Sequence, residues 1–398
     1  MLPYPLTSGG RQGVFSCINA IKEDFNIIIT CYNDYTHESI EELNTIWPNI
    51  KILPYKENRL NSSKYYILKK VFQKLMQRIF KNDYLMVLDK LIDNRFAHFN
   101  PQYYDFINKI IIDYNIDIVQ CEFMSNLALV YALPSKVKKV FIHHELGYVR
   151  DEQMLKSYNT ENSFSRFMKA ILKDNEIRTL SQYDVVITHS TTDTSKLLQE
   201  GVTSKVFSSF SMVKTDQKPG EITSFDHELS FVGPESHLPN RKGLEWFLND
   251  VWPLLLSNSN MWHLKIIGKW TKETISEWGG KYDNVRFTGY VDSLSDALRN
   301  TIMIVPIQIG SGIRMKLQEA AIIGVPFVST TVGAEGLPFI DGKDCYIADS
   351  PEKFATSVIK LSNISIQKRF VVSAYNTISA EFSVEKLRQS RIVAYNSL

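Results

Sequence analysis

Long apolar runs are missing from this 398-residue chain. No stretch of about 18 apolar residues occurs, so no membrane-crossing helix is expected. The chain opens on Leu2-Pro3-Tyr4-Pro5 rather than on an apolar core segment, so no signal peptide is expected either. Cysteine is scarce. Cys17, Cys31, Cys121 and Cys345 are scattered, which argues against a zinc cluster and a disulfide framework and fits a reducing, cytoplasmic compartment. An excess of one charge is also absent. Lys and Arg total 45 against 43 Asp and Glu, a net charge of +2, which argues against nucleic acid as a partner. There is no low-complexity segment and no short repeat. No acidic pair sits on a loop with metal-ligand spacing, so no metal and no other cofactor is expected. The rest is ordinary globular composition, 44% hydrophobic and 22% charged, with length for two or three domains.

Apolar strand runs alternate with helical periodicity along the whole chain. In the first half, strands are expected at 26–31, 50–53, 117–121, 140–143 and 184–188. Helices are expected at 12–21, 37–46, 65–80, 102–114, 165–180 and 192–199, with a short one near Asn126. After a polar stretch at 214–227 the alternation restarts, with strands at 229–232, 264–267, 285–288, 302–305, 327–329 and 346–348. The chain ends on helical signals at 351–361, 366–380 and 384–395. Continuous apolar strands between helices imply parallel sheets covered on both faces. The fold class is therefore α/β, with two Rossmann-like, doubly wound parallel-sheet domains and a central cleft at the carboxyl ends of the strands. The expected organisation is an N-terminal domain over 1–213, a linker over 214–227 and a C-terminal domain over 228–380. A last helical segment, 381–398, returns to the N-terminal domain.

The most informative stretch runs from Val305 to Leu337. An apolar run ends at Pro306, Gly310 and Gly312 bracket Ser311, and a helix pattern then carries Arg314, Lys316 and Glu319. Glycines let backbone N–H groups approach an anion, and a helix N-terminus adds partial positive charge. Arg314 and Lys316 are unfavourable in a first helical turn unless an anion offsets them. Glu319, one turn further in, is placed to accept hydrogen bonds from hydroxyl groups. A diphosphate joined to a ribose satisfies both halves of this layout. A second strand–loop–helix unit carries Gly233, Arg241 and Lys242, which favours binding over a plain turn with solvated cations.

At these residues the chain resembles a family. The Gly310-Ser311-Gly312-Ile313-Arg314, Lys316 and Glu319 pattern looks like the donor-binding segment of retaining GT-B glycosyltransferases of the GT4 type. So does the block Phe231-Val232-Gly233, Pro239-Asn240-Arg241-Lys242-Gly243 and Val251-Trp252-Pro253. The resemblance is strong from Ser230 to Ala348 and weaker over the N-terminal half. It implies transfer of a sugar, with retention of configuration and without a metal, from a nucleotide-diphosphate sugar to a glycan, a lipid-linked or another hydroxyl acceptor. Polysaccharide biosynthesis is the expected context. The leaving diphosphate would be stabilised by Arg241, Lys242, Arg314 and Lys316, with Gly233, Gly310, Ser311, Gly312, Ile313 and Glu319 around the donor. The family's first glutamate, eight residues ahead of Glu319, is Ser311 here. That departure keeps two alternatives in view: a GT-B protein that binds without transferring, and a nucleotide-sugar 2-epimerase-like enzyme.

The resemblance also implies a cleft role for Gly9 and Gly10. The residues themselves are read equally well as an anion or sugar cradle and as a plain turn with Ser8 as helix N-cap. A histidine at the end of the strand near Val140 is implied close to the donor sugar, and His144 is chosen over His143. Glu122, just past the strand at 117–121, is placed to face the cleft, but is read in preference as a solvated strand-end carboxylate. Lys69, Lys70, Lys74, Arg78 and Lys81 interleave with apolar residues. That pattern is read as a helix on the sheet with a solvated face, with a peripheral contact to an anionic membrane left open. Family members begin with a strand ahead of the first glycine turn, whereas two prolines within the first five residues here oppose one. An unfilled lane is therefore expected between the strand at 26–31 and the strand at 117–121.

Overall fold

The computed structural model describes residues 1–57, 100–157, 162–213 and 219–398. The expected helix over 65–80 with its basic face lies outside the described residues, as does 214–218 of the expected linker. The chain divides into two compact units, Met1–Ser209 with Arg388–Leu398 and Phe210–Leu387. The second unit begins ahead of the expected linker. The crossing back falls inside the last helix, Val384–Asn396.

In the first unit, strand β1 (Ile28–Ile29) pairs in parallel with β2 (Lys51–Ile52). Strands β3 (Ile118–Glu122), β4 (Lys138–His143), β5 (Val185–Thr188) and β6 (Lys205–Ser208) form a separate parallel sheet in that order. All of β5 is buried, which explains its unbroken apolar run. Helix α1 (Gly9–Ile21) starts where the Ser8 hydroxyl accepts the Arg11 amide at 3.3 Å, and it buries Val14, Cys17 and Ile18. Helix α2 (Pro101–Asp113) has the Asn100 cap and a proline in its first turn, where the missing N–H costs nothing. The turn after β3, expected as a short helix near Asn126, is a 3₁₀ helix over Met124–Tyr131.

β1 and β3 belong to different sheets. A cavity of about 710 Å³ runs along both, lined by Ile28 and Ile29, by Ile118 to Glu122, and by Val14, Ile18 and Ile111 of the covering helices. Among the described residues no strand pairs with both facing edges.

The second unit holds a six-stranded parallel sheet. Its strands are β7 (Glu228–Val232), β8 (His263–Ile267), β9 (Val285–Gly289), β10 (Ile302–Val305), β11 (Phe327–Ser329) and β12 (Tyr346–Ile347). Their order across the sheet is β12-β11-β10-β7-β8-β9. The chain winds from β7 outward to β9, then returns to β10 on the other side of β7. The connections after β7 and β10 therefore diverge, which opens a crevice at the strand ends between them. Leu229, Phe231, Leu264, Ile266, Ile302 and Ile304 fill the core with Phe247, Trp252 and Phe354. Trp246 and Trp252 flank a π-helical turn over Phe247–Val251 that separates helix α3 (Leu238–Trp246) from Trp252–Asn258.

Candidate functional site

In the second unit, the sequence-predicted residues gather at the switch point. The loop after β10 delivers Gly310, Ser311, Gly312 and Ile313, and Arg314 caps helix α4 (Met315–Ile323). Lys316, in the first turn of α4, reaches across to β7. Its Nζ donates to the Val232 carbonyl at 2.6 Å and to Asn240 Oδ1 at 2.9 Å, and it lies over the Phe231 ring. The loops after β7 and β10 are thus joined by one ammonium group. Burial, with the Arg314 charge adding to it, pulls the Lys316 amine down to about 7 from its ordinary value of 10.5. Nearby Glu319 opposes the shift.

Gly233 follows β7 at φ +151°, where a Cβ would lie 2.4 Å from the Asn240 amide. The approach is used: Asn240 Nδ2 donates to the Pro234 carbonyl at 3.0 Å while its oxygen accepts Lys316. Asn240, 3% exposed, was given no role of its own within the motif Pro239-Asn240-Arg241-Lys242-Gly243, yet its side chain joins the two loops. Arg314 folds back over its own loop and donates to the carbonyls of Ser311 and Gly312. Arg241 and Lys242 lie on α3. Arg241 bonds Glu245 at 3.0 Å and pairs with Glu235 at 3.4 Å; Lys242 bonds the other Glu245 oxygen at 3.0 Å. Both were expected to face a diphosphate; in the structure they face carboxylates. The Glu235 carboxyl is held below its usual value, against the effect of its burial, by hydrogen bonds from Thr274 and Thr271 and by Arg241.

A second group lies within the first unit, at the ends of β3, β4 and β5. The two adjacent histidines have different surroundings. His143 is buried and bonds Glu176 at 3.0 Å, and that carboxylate also accepts the amides of Gly147 and Tyr148. Glu176 therefore anchors the start of the helix Gly147–Ser157, and His143 is structural. His144 is the histidine with partial access. Its Nε2 meets Glu122 Oε2 at 2.6 Å and its Nδ1 meets His189 Nε2 at 3.2 Å. The reading of Glu122 as a solvated strand-end carboxylate is corrected here. Its other oxygen accepts Gln120 Nε2 at 2.6 Å, so both of its oxygens are engaged. Register explains the cluster. His143 pairs with Thr188 across β4 and β5, so the next step places His144 beside His189. That signal needed the pairing, not only the strands.

Phe123 closes the group. It adopts φ +68° and ψ 149°, a region almost reserved for glycine, at a strain of about 1–3 kcal/mol. Its ring stacks on His144 at 4.1 Å and 10°. It also comes so near α1 that a Cβ on Gly10 would lie 3.2 Å from it. Gly10 is thus explained by the approach of Phe123, and Ser8 is a working N-cap beside Gly9.

The two α/β units with their parallel sheets have the GT-B fold of the solved structures they resemble. Residues 226–363 match the family model described as glycosyl transferases group 1. The chain is 24% identical over 409 residues to an uncharacterized 44.6 kDa protein of the cps region of Klebsiella pneumoniae, covering 98% of this chain and 96% of that one. It is similar in structure to Anabaena HepE, solved with UDP-glucose, at a TM-score of 0.64 and 10% identity over 98% of both chains. TarM of S. aureus, solved with UDP, superposes at a TM-score of 0.57 and 16% identity. That match covers 70% of this chain but only 55% of the TarM chain, so this chain spans about half of TarM.

Proposed function

We propose that this protein is a glycosyltransferase of the GT4 type that takes its sugar from a nucleotide-diphosphate donor. One observation carries the reading: the β7/β10 crevice is bridged by a partly buried lysine whose charge its surroundings disfavour. An amine that the fold holds near neutrality, at a helix N-terminus, is matched to a ligand that brings negative charge. The family match covers this segment, and the HepE and TarM structures were solved with UDP-glucose and with UDP respectively.

In this reading the diphosphate lies across Gly310 to Gly312 and the first turn of α4. Lys316 and Arg314 exchange their carbonyl partners for phosphate oxygens, with Arg241 and Lys242 released from Glu245 as further candidates. Glu319 accepts the ribose hydroxyls. Charge gathering on the leaving diphosphate is stabilised by these cations rather than by a metal. The sugar passes to a glycan or lipid-linked hydroxyl with its configuration retained. A thermal-shift screen of UDP-, GDP- and ADP-sugars tests donor binding, since a ligand at 100 times its Kd adds about 2.7 kcal/mol. Product analysis then separates transfer from epimerisation and from binding alone. No shift with any of these nucleotide sugars refutes the reading.

A further inference from the structure

The Glu122–His144–His189 group can be counted proton by proton. His189 Nδ1 meets the Ser209 carbonyl at 3.1 Å. A carbonyl only accepts, so His189 Nδ1 carries a hydrogen. His189 is buried, and burial together with the neighbouring His144 holds its basicity well below the usual range. It is therefore neutral, and its Nε2 is an acceptor. His144 Nδ1, facing that acceptor at 3.2 Å, must donate. This already gives His144 the one hydrogen of a neutral imidazole. Its Nε2 still faces Glu122 at 2.6 Å, and that contact needs a hydrogen too.

The other side of Glu122 decides where this extra hydrogen sits. The guanidinium of Arg391, in the last helix, neighbours the Tyr395 hydroxyl and can only donate. Tyr395 therefore donates onward to Gln120 Oε1. That orients the Gln120 amide so that its Nε2 donates to Glu122. The Gln120 donor excludes a hydrogen on that oxygen of Glu122, so the extra hydrogen lies between the other oxygen and His144 Nε2, where an imidazole is ordinarily the stronger base. The hydrogen belongs to His144. Charged and titratable groups around the ring are Glu122 from β3, His189 after β5, the adjacent His143 paired with Glu176, and Arg391 from the last helix. The Phe123 face stacked on the ring, held there by a strained backbone, suits a cation.

We infer that His144 is kept as an imidazolium by Glu122, which holds its second proton, and by His189, a positioning residue that dictates which nitrogen faces which partner. Both ring nitrogens carry hydrogens and both face protein groups, so His144 does not act as a general base. It contributes a fixed charge at the carboxyl ends of β3 and β4, electrostatic rather than proton-transferring. This rests on the glycosyl-transfer reading only for its role, not for the protonation state.

Nitrogen-15 spectra of the histidine side chains in the full chain test the count. At about pH 7.5, above the ordinary histidine value, His144 is expected to show both nitrogens protonated and His189 only Nδ1. In Glu122→Gln the amide donates to His144 Nε2, and His144 drops to a single hydrogen on Nδ1. In His189→Phe the Nδ1 acceptor is gone, and His144 becomes neutral with its hydrogen on Nε2. A singly protonated His144 in the unaltered protein, or a doubly protonated one in either variant, overturns the inference. With UDP-glucose as the probe, Glu122→Gln should lower kcat about tenfold or more with KM within about twofold. A change in KM alone would make the cluster structural. If none of the UDP-, GDP- and ADP-sugars is bound or cleaved, the glycosyl-transfer reading fails while the nitrogen spectra still decide the proton count.

Discussion

Raising the pH through the window above about 7, where a terminal phosphate with a second pKa of about 6 is already ionised, should weaken UDP binding. The reason is Lys316. In the free protein its amine titrates at about 7 against an ordinary 10.5, because burial and Arg314 disfavour the ammonium. A diphosphate oxygen against Nζ favours the ammonium and moves the value back up. At about pH 8 the free protein has an uncharged Lys316 and the complex a charged one, so binding takes up a proton. Kd then rises by up to about tenfold per pH unit until the pH passes the complex's own value. Full return to 10.5 spans about 3.5 pH units, a ceiling of about 5 kcal/mol on the linkage. For the free protein the sign is worked the same way. Between about 7 and 10.5 the unfolded chain binds a proton that the folded chain does not, so this group makes stability rise with pH there. Titration calorimetry of UDP at about pH 8 in two buffers of different ionisation enthalpy should show close to one proton taken up. In Lys316→Met the uptake and the pH slope should vanish together. A Kd that stays flat from about pH 7 to about 9 in the unaltered protein, or a slope that survives in the variant, refutes the reasoning.

Glu319→Ala should raise the Kd for UDP by about tenfold, near 1.4 kcal/mol, if the carboxylate holds the ribose; calorimetry on the folded variant checks it, and an unchanged Kd removes the assignment. Gly233→Ala forces a Cβ to within 2.4 Å of Asn240 at φ +151°. It should displace Asn240 and Lys316 together and cost about 1–3 kcal/mol in denaturant unfolding, with UDP affinity falling alongside. Transfer activity should survive EDTA; loss with EDTA and recovery on adding Mg²⁺ or Mn²⁺ would overturn the metal-independent mechanism. Amides of β3 should exchange with solvent faster than those of β4 and β5, because β3 borders the 710 Å³ cavity while β4 is paired on both edges; equal protection would show that the cavity edge is covered.

Much of the fold was legible because its cause is local. In the second unit β10 is an unbroken apolar run, while β7, β8 and β9 interleave apolar with polar residues, and each strand of that sheet lies within a residue or two of its expected place. The sheet order was legible only as a class. That β7 lies between β10 and β8 follows from crossover geometry, which no single run contains. The switch-point residues could still be picked out, because the glycines and cations that make an anion site adjoin one another in sequence from Gly310 to Lys316.

The partners of those cations were not legible, and the reason is geometric. Arg241 pairs with Glu245 one helical turn away, a spacing that the sequence displays. Lys316 instead bonds Val232, 84 residues earlier, and only the β7–β10 pairing brings them together. The same holds for His144, whose partners stand 22 residues before it and 45 after it. A strand-end histidine can be recognised alone, but its protonation is set by what the neighbouring strands present at the same level. The sequence shows Glu122, His144 and His189 as three separate polar residues after apolar runs. Parallel register turns them into one hydrogen-bonded line, and the chemistry of His144 belongs to that line.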